Sequence, residues 1–224
     1  MSTIPEHPPR RVRSFVRRAG RTTPGQQRAL AELWPLWGLE EPSQPLDLDQ
    51  VFARTAPRTL EIGFGDGEVL AAMAEAAPQH DFLGVEVHEP GVGHCLLGLQ
   101  HASLANVRLI RHDAMEVLQN WLPADSLDRV NLFFPDPWPK KRHHKRRIVQ
   151  PVFLGLVSKA LKNGGLLHLA TDWMPYAEHM EETLAASPDF SPEKHGPQDR
   201  PETKFQRRGE RLGHAIRDLY YRRK

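Results

Sequence analysis

The sequence predicts an α/β domain: a mostly parallel sheet with helices packed on both faces. Three observations predict it. Strand-like apolar runs alternate with helix-period segments along most of the chain. The first of these strands opens directly into a glycine loop. Five successive strand patterns end in a carboxylate, at Glu61, Glu86, Asp113, Asp136 and Asp172. In open parallel sheets ligands bind beyond the carboxyl ends of the strands, so these acids would collect at the functional edge. At 224 residues and 39% hydrophobic content, the chain can bury one core of this kind.

Residues 1–28 carry seven Arg against one Glu, interrupted by Pro5, Pro8, Pro9 and Pro24. Such a segment buries too little apolar surface to offset its ordering entropy, which predicts a flexible basic arm ahead of a single domain spanning 29–224. Two readings of the arm stay open: a solvated tail, or a segment that orders on a phosphate backbone through Arg10, Arg11, Arg13, Arg17, Arg18 and Arg21. Leu30, Leu33, Trp34 and Trp37 lie at helical spacing and predict a short helix over 27–37.

Arg58–Ile62 reads as the first core strand, followed by the loop Gly63-Phe-Gly-Asp-Gly67 and a helix from Glu68 to Ala77 closed by Pro78. Asp81–Val87 is a second strand. A helix containing Leu96, Leu97 and Leu99 precedes a third strand, Val107–Arg111. After a short helix to Trp121 come a fourth strand, Arg129–Phe134, and a helix from Arg146 to Lys162 that Asn163-Gly-Gly165 breaks. Gly165–Thr171 is a fifth strand, Glu178–Ala186 completes a helix, 187–201 is loop-like, and Leu212–Tyr221 alternates as a last strand.

Net charge is only +2, but its distribution is uneven. Between Pro137 and Thr171 there are eight Lys and Arg and no acid, the footprint of a polyphosphate partner. A single cysteine, Cys95, excludes an internal disulfide and a Cys-built zinc site, and His143 with His144 offers too few ligands for a metal. No apolar run reaches the roughly 18 to 20 residues that span a bilayer, and no signal-peptide stretch is present. A soluble, cytoplasmic protein is expected.

The glycine loop narrows the cofactor. The third glycine of a dinucleotide fingerprint is replaced by Glu68, and the Lys of a triphosphate-binding loop is missing. Glu61, Asp66 and Glu68 would repel phosphates. S-adenosylmethionine has no phosphate and has a cationic, amino-acid-like end, so it suits Glu61-x-Gly63-x-Gly65-x-Gly67. Glu86 stands where an acid grips ribose hydroxyls, and Asp113 could accept from an adenine amino group.

Asn131–Gln150, N-L-F-F-P-D-P-W-P-K-K-R-H-H-K-R-R-I-V-Q, resembles the tRNA (guanine-N7-)-methyltransferase family. So do Arg13–Arg21, Thr23–Gln27, and Thr203-Lys-Phe-Gln206 followed by Arg208-Gly209. The resemblance implies a Rossmann-like class I methyltransferase fold with a seven-stranded sheet. It also implies transfer of a methyl group from S-adenosylmethionine to N7 of a guanosine in the variable loop of tRNA. Position by position it makes Glu61, Gly63, Gly65, Gly67, Glu86, Asp113 and Asp136 cofactor-binding, with Asp136 also catalytic. Lys140, Asp172, Thr203, Lys204, Phe205 and Gln206 fall on substrate-contact positions, and Arg142, His143, His144, Lys145, Arg146 and Arg147 on the RNA-contact segment. Gln206 departs from the Glu usual there, keeping an acceptor and losing the charge. Trp138 reads equally as a base-stacking residue or a packed turn residue. The family contains single-chain enzymes and enzymes with a partner subunit; a monomer is expected, with a weak homodimer as the alternative. Rival readings are a class I methyltransferase with another RNA acceptor, and a non-catalytic RNA-binding module on this fold. A nicotinamide oxidoreductase is a third, which Glu68 disfavours.

Overall fold

The computed structural model describes residues 13–15, 20–197, 199–202, 206–207, 211, 213 and 215–224. Pro24–Glu32 (α1) starts inside the segment expected to be an arm. Thr23 caps it, and Gln26 answers in a reciprocal capping box. With Pro24 in its first turn, this helix has its own start signals, and it begins four residues before residue 28, the expected end of the arm. Trp34–Trp37 (α2) and the two-residue strand Gly38–Leu39 (β1) follow, and then Leu48–Phe52 (α3).

The central units are Arg58–Ile62 (β2), Glu68–Ala76 (α4), Asp81–Val85 (β3), Glu89–His101 (α5) and Val107–Ile110 (β4). Ala114–Glu116 (α6) runs into a π-helical turn, and Leu127–Phe133 (β5) follows. The helix expected over 146–162 is shorter: 141–146 forms a 3₁₀ turn, and Pro151–Ala160 is α7. Pro151 sets that start, because it favours the first helical turn and forces Gln150 into an extended conformation. Leu161–Thr171 (β6) is longer than expected. Asn163-Gly164-Gly165 lies within the strand, beside a register shift against β5, with Gly164 at φ +73°. Met174–Ala185 (α8), Phe190–Glu193 (β7) and Arg217–Arg223 (β8) complete the chain.

Among the described residues the sheet has eight strands, ordered β1-β4-β3-β2-β5-β6-β8-β7, where seven were expected. The two least legible members are β1, which is only two residues long, and β7. The latter lies in a stretch expected to be loop, and its Pro192 is tolerated because β7 is an edge strand. Pairing is parallel from β1 through β6 and antiparallel at β6–β8 and β8–β7.

Alternation splits the core into two layers. Leu60, Ile62, Val130, Leu132, Leu167 and Leu169 point to the side packed by α7 and α8. Phe82, Leu109, Phe133 and Ala170 point to the side packed by α4 and α5. On that second side one row crossing four strands is polar: Glu61, Asn131, His168 and Tyr220 are register partners. The chain runs outward from β2 through β3 to β4 and then returns to place β5 on the other flank of β2. The order therefore reverses between β2 and β5, and a ligand crevice is expected there. No helix among the described residues is long and apolar enough to cross a membrane.

Candidate active site

A cleft of about 210 Å³ opens at this switch point. Ile62 and Gly63 leave β2 into it, Val85 and Glu86 leave β3, and Phe133 to Asp136 leave β5, while Ser14 and Phe15 of the N-terminal segment face them. Glu86 organises the floor. Its Oε2 accepts from the Gly65 N–H at 3.0 Å, and its Oε1 accepts from the N–H groups of Val87 (2.6 Å) and His88 (2.9 Å). The acid expected to hold ribose thus also ties the glycine loop to the tip of β3.

Within the loop the three glycines divide into two kinds. Gly63 and Gly65 sit at φ +74° and +62°, and a Cβ on either would meet nothing within 4 Å. They give the backbone a left-handed path and leave open space in front of it, as a cofactor cradle requires. Gly67, also expected to bind cofactor, has another task. A Cβ there would stand 2.3 Å from Cys95 Sγ, so Gly67 brings the start of α4 onto α5. It does the close-packing work of the third glycine in a dinucleotide loop, one residue early.

Glu61 is also off the cleft wall. It is 3% exposed beneath the loop, and its Oε2 has no hydrogen-bond partner among the described residues. Burial raises its pKa to about 8, against the pull of Arg129 and with help from Asp66 and Glu86. A buried acceptor without a donor, directly under an open glycine cradle, fits a ligand that brings a cationic or N–H group. Asp113 caps α6, accepting from the Met115 N–H at 3.0 Å, and its neighbour His112 reaches the cleft. The residues present therefore fit S-adenosylmethionine, with Gly63 and Glu86 at the cleft, Gly65 tied to Glu86, and Glu61 buried behind them.

Asp136 stands at the rim on a stiff turn. Pro135 and Pro137 flank it, and the residues outside them, Phe134 and Trp138, have left-handed backbones at φ +50° and +45°. Bulky residues adopt that region at a cost of about 1–3 kcal/mol each, so the surrounding structure must enforce it. The Phe134 N–H donates to the Ala170 carbonyl of β6 at 2.8 Å. Trp138 Nε1 donates to the Ser14 carbonyl at 3.1 Å, and the Arg146 guanidinium lies 4.4 Å over the indole. Of the two readings of Trp138, the structure shows the packed one.

A family model described as "Putative methyltransferase" matches residues 55–219. The tRNA (guanine-N(7)-)-methyltransferase of Alkalilimnicola ehrlichii is 58% identical over 222 residues, covering 96% of this chain and 94% of its own. Those of Halorhodospira halophila and Pseudomonas syringae are 57% and 56% identical over 96% of this chain, covering 96% and 91% of their own lengths. The chain belongs to the tRNA (guanine-N(7)-)-methyltransferase family. The fold is shared more widely. The aminoglycoside resistance methyltransferase NpmB1 superposes with TM-score 0.59 at 17% identity, over 81% of this chain and 95% of its own. The 16S rRNA methyltransferase KamB gives 0.58 at 15%, over 83% and 97%.

In this methyltransferase the basic run after the turn is a short 3₁₀ segment with unequal members. Lys140, Arg142 and Lys145 are exposed, while His143, His144 and Arg146 are half-buried. Burial and the surrounding cations lower the pKa of His143. Arg147 departs from expectation. It is 4% exposed, donates to the carbonyls of Pro137 (3.0 Å) and Pro175 (3.4 Å), and lies 4.8 Å over Tyr176. Its guanidinium braces the back of the turn and is withdrawn from any phosphate. Of the expected substrate positions, Asp172 is half-buried at the end of β6. Gln206 accepts from Arg200 at 2.7 Å. Thr203, Lys204 and Phe205 lie outside the described residues. The reading of the sequence missed the wall residues Ser14, Phe15 and His112, and also the ion pairs formed by Arg129, Arg200 and Asp218. Only the alternation of polar residues along β5 and β6 could have signalled the latter.

Proposed function

We propose that the family's reaction, methyl transfer from S-adenosylmethionine to N7 of a tRNA guanosine, takes place in the cleft between β2 and β5, with Asp136 beside the acceptor base. The observation that carries this is the turn itself. It is an exposed carboxylate fixed between two prolines and two strained aromatics, at the rim of the cleft that Gly63 and Glu86 floor. Bound S-adenosylmethionine supplies an electrophilic methyl group.

Guanine N7 carries an in-plane lone pair and no proton, so Asp136 is not required as a base. As the ring becomes cationic its carboxylate orients the guanine edge and stabilises the growing charge, which preorganised groups do without reorganisation. The larger part of the acceleration comes from alignment, worth up to roughly 7–11 kcal/mol in effective molarity. Asp172, one strand over, is the second acid of the site. The base must be unpaired or splayed out to enter, and Lys140, Arg142 and Lys145 hold the backbone of such a loop without reading sequence. A monomer is the assembly we favour, and the free, buried Cys95 is consistent with a cytoplasmic setting.

Asp136→Ala tests the assignment. Methyl transfer into unmodified tRNA should fall about 10²- to 10³-fold, while binding of cofactor and tRNA stays largely intact. Near-normal turnover by this variant would overturn the role given to Asp136.

A further inference from the structure

The richest group of side chains outside the cleft lies on the α4/α5 side of the sheet, and Arg200 is one of its members. The Arg200 Nε and Nη2 donate to Asp218 Oδ1 and Oδ2, both at 2.9 Å, a two-pronged ion pair, and Nη1 donates to Gln206 Oε1 at 2.7 Å. Its guanidinium lies 5.7 Å over the ring of Phe133 and 5.5 Å over that of Phe134. The side chain is 9% exposed.

Its partners are fixed in turn. Asp218 Oδ1 also accepts from His168 Nε2 at 2.7 Å, and His168 Nδ1 faces Arg129 Nη2 at 2.9 Å. Asp218 is the register partner of Ala170, whose carbonyl holds Phe134 in its left-handed conformation. One planar cation therefore touches three things: the last strand, the aromatic pair that leads into Pro135 and Asp136, and the C-terminal segment at Gln206. Planarity matters, because only a guanidinium can fork onto a carboxylate and stack on rings together.

We infer that Arg200 is a positioning residue for methyl transfer, clamping Gln206 to the Phe133–Phe134 shoulder of the Asp136 turn. The inference uses the reading that methyl transfer takes place at this turn and needs no particular chemical role for Asp136. It also explains how Gln206 serves in place of Glu. The contact toward Arg200 requires an acceptor oxygen, which both side chains supply.

The test is a double-substitution cycle with Arg200→Lys and Gln206→Ala, read as kcat and KM for unmodified tRNA, with S-adenosylmethionine affinity and Tm measured on every variant. Each single change should lower kcat about tenfold to a hundredfold, the range that misplacement of about 1 Å produces. The double variant should be no worse than the poorer single variant, and cofactor affinity should stay within about twofold. Gln206→Glu, which keeps the acceptor oxygen, should lose less kcat than Gln206→Ala. Multiplying losses in the double variant, or a wild-type kcat for Arg200→Lys, would overturn the proposal. Where Arg200→Lys fails to fold, the pair Gln206→Ala and Gln206→Glu decides, because equal activities refute the clamp. An active Asp136→Ala beside a coupled cycle would remove only the role of Asp136, and an inactive one beside an uncoupled cycle would remove only the clamp.

Discussion

Replacing Glu61 by Gln should make the protein more stable in mild alkali. Glu61 lies fully inside the domain with one oxygen unpartnered among the described residues, and burial lifts its pKa to about 8. The sign follows from proton counts. Between the ordinary carboxylate value of 4.5 and about 8, the folded chain holds this proton and the unfolded chain has released it, so stability falls as pH rises through that window. Above about 8 the loss is complete. The depressed pKa of His168 adds stability as pH rises toward 6.5, which would mask the effect lower down, so pH 6.5 to 8 is the clean interval. Over that interval the loss attributable to Glu61 is about 2 kcal/mol, or about 4–8 °C in Tm for a chain of this size. Gln keeps the shape of the protonated acid and cannot ionise. Thermal unfolding of both proteins, free of cofactor, across that pH range should show the wild type falling and Glu61→Gln staying flat. Parallel curves would refute the premise that Glu61 is held neutral beneath the glycine loop.

Removing Arg142 and Lys145 together (both to Ala) should weaken tRNA binding and reduce the slope of log K against log salt by about 1.5, whereas Arg147→Met should leave the slope unchanged and lower stability instead. An unchanged slope in the first variant would argue against phosphate contacts at this turn. Gly67→Ala should cost about 2–4 kcal/mol in chemical denaturation, from a strained φ and a contact with Cys95 that cannot relax fully. A wild-type midpoint would show that α4 can back away from α5.

The sequence disclosed the order of the central strands, the glycine loop and the site of the carboxylate turn, because each rests on local chemistry. Alternation, glycine and proline act within a few residues and can be read one window at a time. What stayed hidden depends on pairing across the fold. Arg147 reads as one more cation in a basic run, and only the carbonyls of Pro137 and Pro175 converging on it reveal a brace. Gly67 reads as part of a cofactor loop until Cys95, from the next helix, is placed 2.3 Å from its absent Cβ. Phe190–Glu193 carries a proline and little alternation, and becomes a strand because β8 offers it an edge. The 3₁₀ segment and the late start of α7 are signalled by Pro151, a signal that the expected helix from Arg146 to Lys162 leaves unused.

The strain at Phe134 and Trp138 gives these parts a common purpose. Two left-handed aromatic residues in one five-residue turn would relax if either end were free. One end is held by the Ala170 carbonyl and roofed by Arg200, and the other by the Ser14 carbonyl, the Arg146 guanidinium and the Pro137 carbonyl on Arg147. The anchors come from β6, the C-terminal segment, the N-terminal segment and the basic turn. Asp136 is therefore positioned by segments from both ends of the chain, and the exposed cations proposed to face tRNA are continuous with those holding the turn. A substrate that pulls on the exposed members, Arg142 and Lys145, pulls on the same short segment whose buried end, Arg147, sets the carboxylate. On the proposed reading, charge recognition and acid placement share one rigid element, which would account for so many cations following Asp136 so closely.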